Sequence, residues 1–194
     1  MRKYGIYLAI ILLIVLLKLL DPLSSEYLRF DRALINTGEI WRLFGAHFVH
    51  FSTIHMLVNL LAVCLVAYIA GESLNNLLGI VLILWCSSVV GTGLYLFASD
   101  LSYYVGLSGV LHGLLVVSPF VSKFYSRKVA LVFLSAIILK VIWEQSGFYD
   151  DMALASTIGG RVETRAHLLG VLSGLIFMAL HSLWRHFLVK IKNQ

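Results

Sequence analysis

The chain has 194 residues, of which 60% are hydrophobic and only 13% are charged, and its mean hydropathy is +0.91. A soluble domain of this length needs a far more polar surface, while two cysteines, two prolines and 15 glycines without a repeat exclude disulfide-rich, collagen-like and disordered classes. The net charge of +5 comes from basic residues near the two ends and around Lys123, which favours anchoring at a membrane surface over nucleic-acid binding.

Six apolar segments follow one another along the chain. They cover approximately residues 4–20, 52–70, 77–97, 108–122, 129–143 and 164–183. A bilayer core of about 30 Å takes about 20 apolar residues per helix, so the sequence predicts an all-α, polytopic membrane protein with six transmembrane helices in a single domain over residues 1–194. We expect the first segment to stay on the protein, because no small-x-small cleavage site follows it.

An even number of spans places both termini on the same side of the membrane. Basic residues near both ends then share that side with Lys123, Arg127 and Lys128, which predicts that it is the cytoplasmic side. The bias is partial, since five arginines fall in the opposite loops. We therefore expect the loops after the first, third and fifth spans to face outward.

The fourth segment is too short to cross the bilayer. Lys123 follows Ser108 by 15 positions, which gives about 22 Å of helix against a core of about 30 Å. If Lys123 marks the inner surface, Ser108 lies below the outer surface and residues 99–107 dip inward to meet it. Non-helical backbone at that depth must be buried in protein or line water. We therefore expect a wet cavity that opens to the outer face and reaches Ser108.

Four polar side chains occupy the apolar segments or their edges, where such groups are costly and usually functional. They are His55, Asn59, Ser108 and His167. Small residues also line one face of the fourth and sixth segments, which lets two helices approach closely; they are Gly109 and Gly113 in the fourth, and Ala166, Gly170 and Gly174 in the sixth. This spacing predicts a hydrogen bond between Ser108 and His167, as a nucleophile and its general base.

An acyl-transfer site also needs donors for the oxyanion that forms on the substrate. His55 and Asn59 are four residues apart, about 6 Å along a helix axis, so both project from one face of the second span. The Ser108 amide, at a helix N-terminus, adds a backbone donor. Singly, each residue has a structural interpretation: serine caps or packs, and an intramembrane histidine or asparagine bonds a neighbour. Their joint occurrence at matched depth favours an acyl-transfer site.

Four ordered motifs in this chain resemble those of the rhomboid family of intramembrane serine proteases. They are Trp41-Arg42, the H-x4-H-x3-N pattern of His50, His55 and Asn59, GxSG at residues 106–109, and AHxxGxxxG at residues 166–174. The resemblance covers nearly the whole chain. It implies Ser108 as nucleophile, His167 as general base without a third acidic member, and His55, Asn59 and the Ser108 amide as oxyanion hole. We expect Trp41 and Arg42 to anchor the first loop among the lipid headgroups.

The run at residues 106–113 and the short chain look like the rhombosortase subgroup of Gram-negative bacteria. That likeness implies an enzyme of the bacterial inner membrane, with its site open to the periplasm, that cleaves C-terminal Gly-Gly-type sorting tails of exported proteins. Gly106 and Gly109, which flank Ser108, are candidates for supporting positions. So is His112, at a position where many rhomboids carry an aromatic residue. It could stack on His167 or tune its pKa, and we favour packing over a direct role in proton transfer. We assign His47 no role.

The expected partners are the lipid bilayer and transmembrane protein substrates, without nucleic acid, and the oligomeric state stays open. We expect no cofactor and no metal, since His47, His50 and His55 do not share one helical face. One alternative is a non-catalytic rhomboid-like protein that binds membrane clients, against which the presence of both Ser108 and His167 argues. Another is a proton-coupled transporter with His55, His112 and His167 as a relay, for which the one-sided cavity offers no exit.

Overall fold

Helices occupy all six positions that the sequence predicts. The computed structural model describes residues 2–192, and we number its six long helices α1 to α6: Gly5–Leu19, Thr53–Ala70, Leu77–Phe97, Ser108–Val121, Arg127–Glu144 and Thr164–Lys192. Apolar side chains on their outer faces are exposed, as with Leu12, Leu61 and Val132 at about 70%. Because a soluble protein rarely exposes so much apolar surface, this supports the membrane class.

The number of membrane crossings rests on helix length. Among the described residues, three helices are long and apolar enough to cross by length and composition: Thr53–Leu74, which extends α2, Leu77–Phe97 and Thr164–Phe187. The apolar helices α1 and α4 have only 15 and 14 residues, and α5 carries four charged residues. The predicted all-α membrane architecture is confirmed, and crossing by all six helices stays a prediction.

Polar caps set where several long helices begin. Ser52 accepts a hydrogen bond from the His55 amide at the start of α2, Asn76 accepts two at the start of α3, and Ser126 accepts one from Val129 at the start of α5. Such caps satisfy amides that have no partner within the helix. They fix where the apolar segments enter the bundle.

The long connection between α1 and α2 folds into short elements. It holds α-helices Leu23–Leu28, Arg32–Asn36 and Arg42–Gly45, the 3-10 helix Ala46–Phe48, and strand β1, Phe30–Asp31. β1 pairs antiparallel with β2, Tyr103–Tyr104, in the connection between α3 and α4. The other short elements are 3-10 helices Arg2–Tyr4 and Gly71–Leu74 and the α-helix Ala155–Ile158. The strand pair joins the first loop to the segment that leads into Ser108.

Arg42 corrects one expectation about this loop. Its side chain is only 4% exposed, donates to the backbone carbonyls of Glu26 and Arg29, and pairs with Glu39 at 2.7 Å. Because the Arg42 guanidinium bonds partners within the first loop, it stabilises the fold of that loop and does not reach the lipid headgroups. Trp41, by contrast, is 45% exposed, as an interfacial anchor requires.

Helix α4 is the centre of the bundle, and its closest neighbour is α6. A Cβ on Gly170 would lie 1.9 Å from the Gly109 carbonyl oxygen, and one on Gly174 would lie 2.7 Å from that of Gly113. Only glycine allows two backbones to approach so closely. The predicted contact between the small-residue faces of these two helices is confirmed, and it sets the distance between the first turns of α4 and α6.

Candidate active site

The first turns of α4 and α6 bring a serine and a histidine together. Ser108 is the first residue of α4 and is half-buried, whereas His167 lies in the first turn of α6 and is 6% exposed. The Ser108 hydroxyl lies 3.0 Å from His167 Nε2 and is placed to donate to it. This is the distance at which an imidazole can accept a serine proton.

The segment before Ser108 is held by backbone contacts beneath the first loop. The Gly106 amide donates to the Ala46 carbonyl at 2.9 Å, and the Tyr104 hydroxyl donates to the Gly106 carbonyl at 2.7 Å. Burial raises the pKa of Tyr104 above its usual range, which keeps this hydroxyl protonated as a donor. The turn therefore presents Ser108 from a fixed backbone.

The expected wet cavity is not what accommodates this non-helical segment. Residues 104–107 are buried in protein, which is the other way in which such backbone survives at depth. A cavity of about 1250 Å³ lies instead at the opposite end of the bundle, lined by residues that include Lys3, Glu72, Lys123 and Arg185. The depth of Ser108 in the bilayer stays a prediction from the length of α4, and that length could not predict the packing of the first loop over residues 104–107.

His55 approaches the turn before Ser108. Gly106 has φ of +115°, and a Cβ on it would lie 2.8 Å from the His55 ring. The His55 ring also makes an edge contact with His50, with centroids 5.0 Å apart. Burial lowers the pKa of His50, which lies outside the long helices, to about 3, so His50 stays neutral beside its neighbour. The structure thus brings His55 to the candidate site.

The Asn59 side chain forms a hydrogen bond with the backbone of α2, the helix that carries it. Its side-chain nitrogen donates to the His55 carbonyl at 2.9 Å, and its Oδ1 is buried without a hydrogen-bond partner among the described residues. The structure therefore places both predicted oxyanion donors on one face of α2. Of the two, His55 has its ring against Gly106 in the turn before Ser108, whereas the Asn59 side-chain nitrogen bonds the His55 carbonyl.

His112 does more than pack. Its ring stacks on that of His167, with centroids 4.2 Å apart and planes 21° from parallel, which confirms the predicted stacking. Its Nδ1 lies 2.7 Å from the Ser108 carbonyl oxygen, and its Nε2 lies 2.9 Å from Lys140 Nζ. His112 therefore links the first turn of α4 to α5.

Glu144, the last residue of α5, lies at the site although the sequence did not single it out. Its Oε2 lies 3.0 Å from His167 Nδ1, its Oε1 lies 2.7 Å from Lys140 Nζ, and its side chain is 5% exposed. The expectation that no acidic residue joins Ser108 and His167 is wrong in geometry. The available signal was an opposite-charge pair four residues apart, Lys140 and Glu144, in an otherwise apolar stretch, where charges are rarely without a partner.

The start of α6 is tied to the loop before α4. The Arg165 guanidinium, two residues before His167, donates to Glu163 at 2.6 Å and also bonds Asp100. The hydrogen bond from Arg165 lowers the pKa of the Asp100 carboxyl. These ion pairs hold the two backbone segments that carry Ser108 and His167.

One group of side chains has the composition of a metal site. Among the described residues, His112, Glu144 and His167 offer potential ligand atoms that all lie within 4.8 Å of one another. The Lys140 ammonium already contacts two of the three. A divalent ion would have to displace that cation, so the donor set suits the ammonium that is there better than a metal.

His47 is fully buried beside Tyr104. Its Nε2 lies 2.9 Å from the Ser87 carbonyl, its ring meets the edge of Tyr104, and burial lowers its pKa to about 4. His47 packs against Tyr104, whose hydroxyl holds the turn before Ser108. Its lowered pKa keeps the His47 ring neutral at pH 7.

A family model described as Rhomboid domain matches residues 37–184, which is well over half of the chain. The match includes every residue of the site described above. A comparison with curated proteins gives no match.

Proposed function

The chain belongs to the rhomboid family, whose members are generally intramembrane serine proteases, and on that premise we propose that it hydrolyses a peptide bond through Ser108 and His167. The bond lies in or beside the transmembrane segment of a membrane-anchored substrate. The observation that carries the proposal is the 3.0 Å contact between Ser108 Oγ and His167 Nε2, two residues 59 positions apart in sequence. Both occupy motif positions that resemble the family's.

The reaction divides into acylation and hydrolysis. Ser108 Oγ bonds to the scissile carbonyl carbon while its proton moves to His167 Nε2, and the carbonyl electrons move onto oxygen. Collapse of this intermediate breaks the carbon–nitrogen bond, and His167 gives the proton to the leaving amine. Water then attacks the acyl-enzyme with His167 again as base, which restores the Ser108 hydroxyl.

The oxyanion is stabilised by His55, Asn59 and the Ser108 amide in this proposal. Support for His55 is its ring against Gly106, two residues from the nucleophile. Asn59 contributes once its side-chain nitrogen leaves the His55 carbonyl and turns toward the substrate. Gly106 and Gly109 support the site through backbone approaches that a side chain would block.

Substrate choice follows from how a helix hides its peptide bonds. A scissile carbonyl inside a helix is hydrogen-bonded, so segments rich in glycine, which unwind easily, are preferred. The rhombosortase-like run at residues 106–113 narrows this to C-terminal Gly-Gly-type tails of exported proteins. The enzyme then spans a bacterial inner membrane six times, with both termini cytoplasmic and Ser108 open to the periplasmic side.

The test of the chemistry uses the purified full chain with a fluorophosphonate probe and a tagged transmembrane substrate. Ser108→Ala should abolish both labelling and cleavage. Ser88→Ala should keep both, because Ser88 is exposed on α3 and bonds only the Leu84 carbonyl of its own helix among the described residues. Cleavage by Ser108→Ala at the wild-type rate would refute the proposal. Binding of membrane clients without fluorophosphonate labelling would favour a non-catalytic binding protein. Proton-coupled transport without labelling would favour a transporter.

Substrate class is tested separately. A transmembrane substrate with a Gly-Gly tail should be cleaved faster than the same substrate with Leu-Leu in its place, which keeps the helix intact. Equal rates would remove the sorting-tail assignment and leave the protease.

A further inference from the structure

We propose that Glu144 is a positioning residue for His167, which makes Ser108, His167 and Glu144 a hydrogen-bonded triad whose carboxylate is fixed by Lys140. This inference rests on the proposed protease function and deepens it. It departs from the two-residue Ser–His arrangement that the family resemblance implies.

The three hydrogen bonds around His167 and Glu144 agree with a single assignment of protons. His167 Nε2 accepts from the Ser108 hydroxyl, so its other nitrogen, Nδ1, carries the hydrogen and donates to Glu144 Oε2 at 3.0 Å. An ionised carboxylate accepts only. Its second oxygen accepts from Lys140 Nζ at 2.7 Å. Glu144 therefore holds the one tautomer of His167 that can take a proton from serine.

His112 fits the same assignment. Lys140 has no acceptor, so its 2.9 Å contact with His112 Nε2 is donated by the ammonium. His112 Nδ1 then carries the hydrogen and donates to the Ser108 carbonyl at 2.7 Å. The neutral His112 ring stacks on His167 and fixes the plane of the His167 ring. Because His112 carries no charge, the Glu144 carboxylate is the charged partner of His167.

The carboxylate acts when charge develops on His167. As Ser108 Oγ bonds to the substrate carbon, its proton moves to Nε2 and the ring becomes an imidazolium. Glu144 stays ionised, and its negative charge 3.0 Å away stabilises that cation in a site where the side chain is 5% exposed. The proton passes onward to the leaving amine and never to the carboxylate, so the groups at the site return to their starting state.

Lys140 explains how a carboxylate can be kept ionised at this depth. A buried charge without a partner is costly. Lys140 neutralises Glu144 from one turn away on the same helix, while its own side chain is 49% exposed and can reach toward the interface. The Lys140–Glu144 pair therefore differs from an ordinary exposed salt bridge on a helix surface, because Glu144 also contacts His167.

The test compares matched variants of the full chain in the same cleavage and fluorophosphonate assays. Glu144→Gln keeps the shape but removes the charge, and should lower kcat by about 100-fold or more, with KM within about threefold and a nearly unchanged melting temperature. Glu144→Asp restores a carboxylate, and its kcat should be at least about tenfold higher than that of Glu144→Gln. Lys140→Gln keeps a donor to Glu144 and should lower kcat by less than about tenfold.

Each other result contradicts the inference in a distinguishable way. Wild-type kcat in Glu144→Gln, in a preparation where Ser108→Ala is inactive, overturns the positioning role of Glu144 and leaves the proposed protease function intact. Equal losses in Glu144→Gln and Lys140→Gln, each with a matching fall in melting temperature, reduce the pair to a structural bridge. Loss of activity with a chelator and its return with zinc would show that these residues form a metal site instead of the triad. Failure of the wild-type protein to label or cleave overturns both proposals.

Discussion

Gly106 combines a backbone conformation and a contact that both require glycine. Its φ is +115°, and a Cβ would lie 2.8 Å from the His55 ring. An L side chain at this φ costs about 1–3 kcal/mol, and the methyl would also push His55 from the turn that carries Ser108. The residue therefore couples local backbone geometry to the position of His55, the proposed oxyanion donor.

We expect Gly106→Ala to lower the stability of the protein by about 1–3 kcal/mol and to lower kcat for the tagged substrate strongly. Gly38→Ala is the matched control, because Gly38 has nearly the same φ of +111° but nothing within 4 Å of a Cβ. It should share the loss of stability and keep the activity. Equal activity in the two variants would contradict a specific role for the contact with His55.

His47 makes folding stability depend on pH. Burial lowers its pKa to about 4, against about 6.5 in an unfolded chain. The unfolded state therefore binds the extra proton between these values, and stability falls as pH drops from 6.5 toward 4, by about 1.4 kcal/mol per unit.

The melting temperature of the wild type should consequently fall between pH 7 and pH 5. In His47→Gln, whose amide can still donate to the Ser87 carbonyl, the fall should be smaller. His50, whose pKa burial also lowers, to about 3, leaves part of the dependence in place. An identical pH dependence in wild type and variant would show that His47 is not the titrating group.

At the scale of elements, the approach of α4 and α6 sets the distance between Ser108 and His167, the proposed nucleophile and base. A Cβ on Gly170 would overlap the Gly109 carbonyl at 1.9 Å, so any side chain there forces the helices apart. Overpacking of this kind costs about 1–3 kcal/mol, and a displacement of about 1 Å at reacting groups can cost about 100-fold in rate.

Gly170→Ala should therefore lower kcat by about 100-fold, together with fluorophosphonate labelling of Ser108. Gly147→Ala, in the loop after α5 where nothing lies within 4 Å of a Cβ, should behave as wild type. Full activity in Gly170→Ala would mean that the two helices can separate without moving Ser108 from His167.

The positions of the long helices were predictable because apolar runs and caps are local signals. The start of α5 at Arg127, two residues before the predicted 129, follows from the Ser126 cap. Helix α6 continues to Lys192, beyond the predicted 183, because hydropathy marks where a membrane segment ends and not where a helix ends. The fold of the first loop was not predictable, since its short elements depend on distant partners such as the pairing of β1 with β2.

For the whole molecule, orientation in the membrane decides which side the substrate comes from. In the proposed topology the loop between α4 and α5 is cytoplasmic, and the loop after α5, near Ser108, faces outward. The basic residues Lys123, Arg127 and Lys128 lie in or beside the first of these loops, as the charge rule for cytoplasmic loops requires.

Single cysteines test this orientation in right-side-out vesicles with a membrane-impermeant maleimide. Gly147→Cys should react in intact vesicles, whereas Lys123→Cys should react only after permeabilisation. The wild type is the control, since its cysteines, Cys64 and Cys86, lie within α2 and α3. The reverse pattern would place Ser108 toward the cytoplasm.

The sequence by itself determined the membrane class and the identity of most candidate site residues. Ser108, His167, His55 and Asn59 stand out because polar groups are expensive in hydrocarbon and because their motifs are local. Small residues at intervals of four also predicted the contact of α4 with α6.

Only the tertiary structure decided that Glu144 meets His167, that Lys140 bridges Glu144 and His112, and that Asn59 bonds its own helix. These contacts depend on the rotation and crossing of α5 and α2. Lipid tails are as apolar as leucine, so a helix in a bilayer is apolar on its buried and its exposed faces alike. Hydropathy therefore does not predict which face of α5 turns inward. Helix packing decides that Glu144 contacts His167.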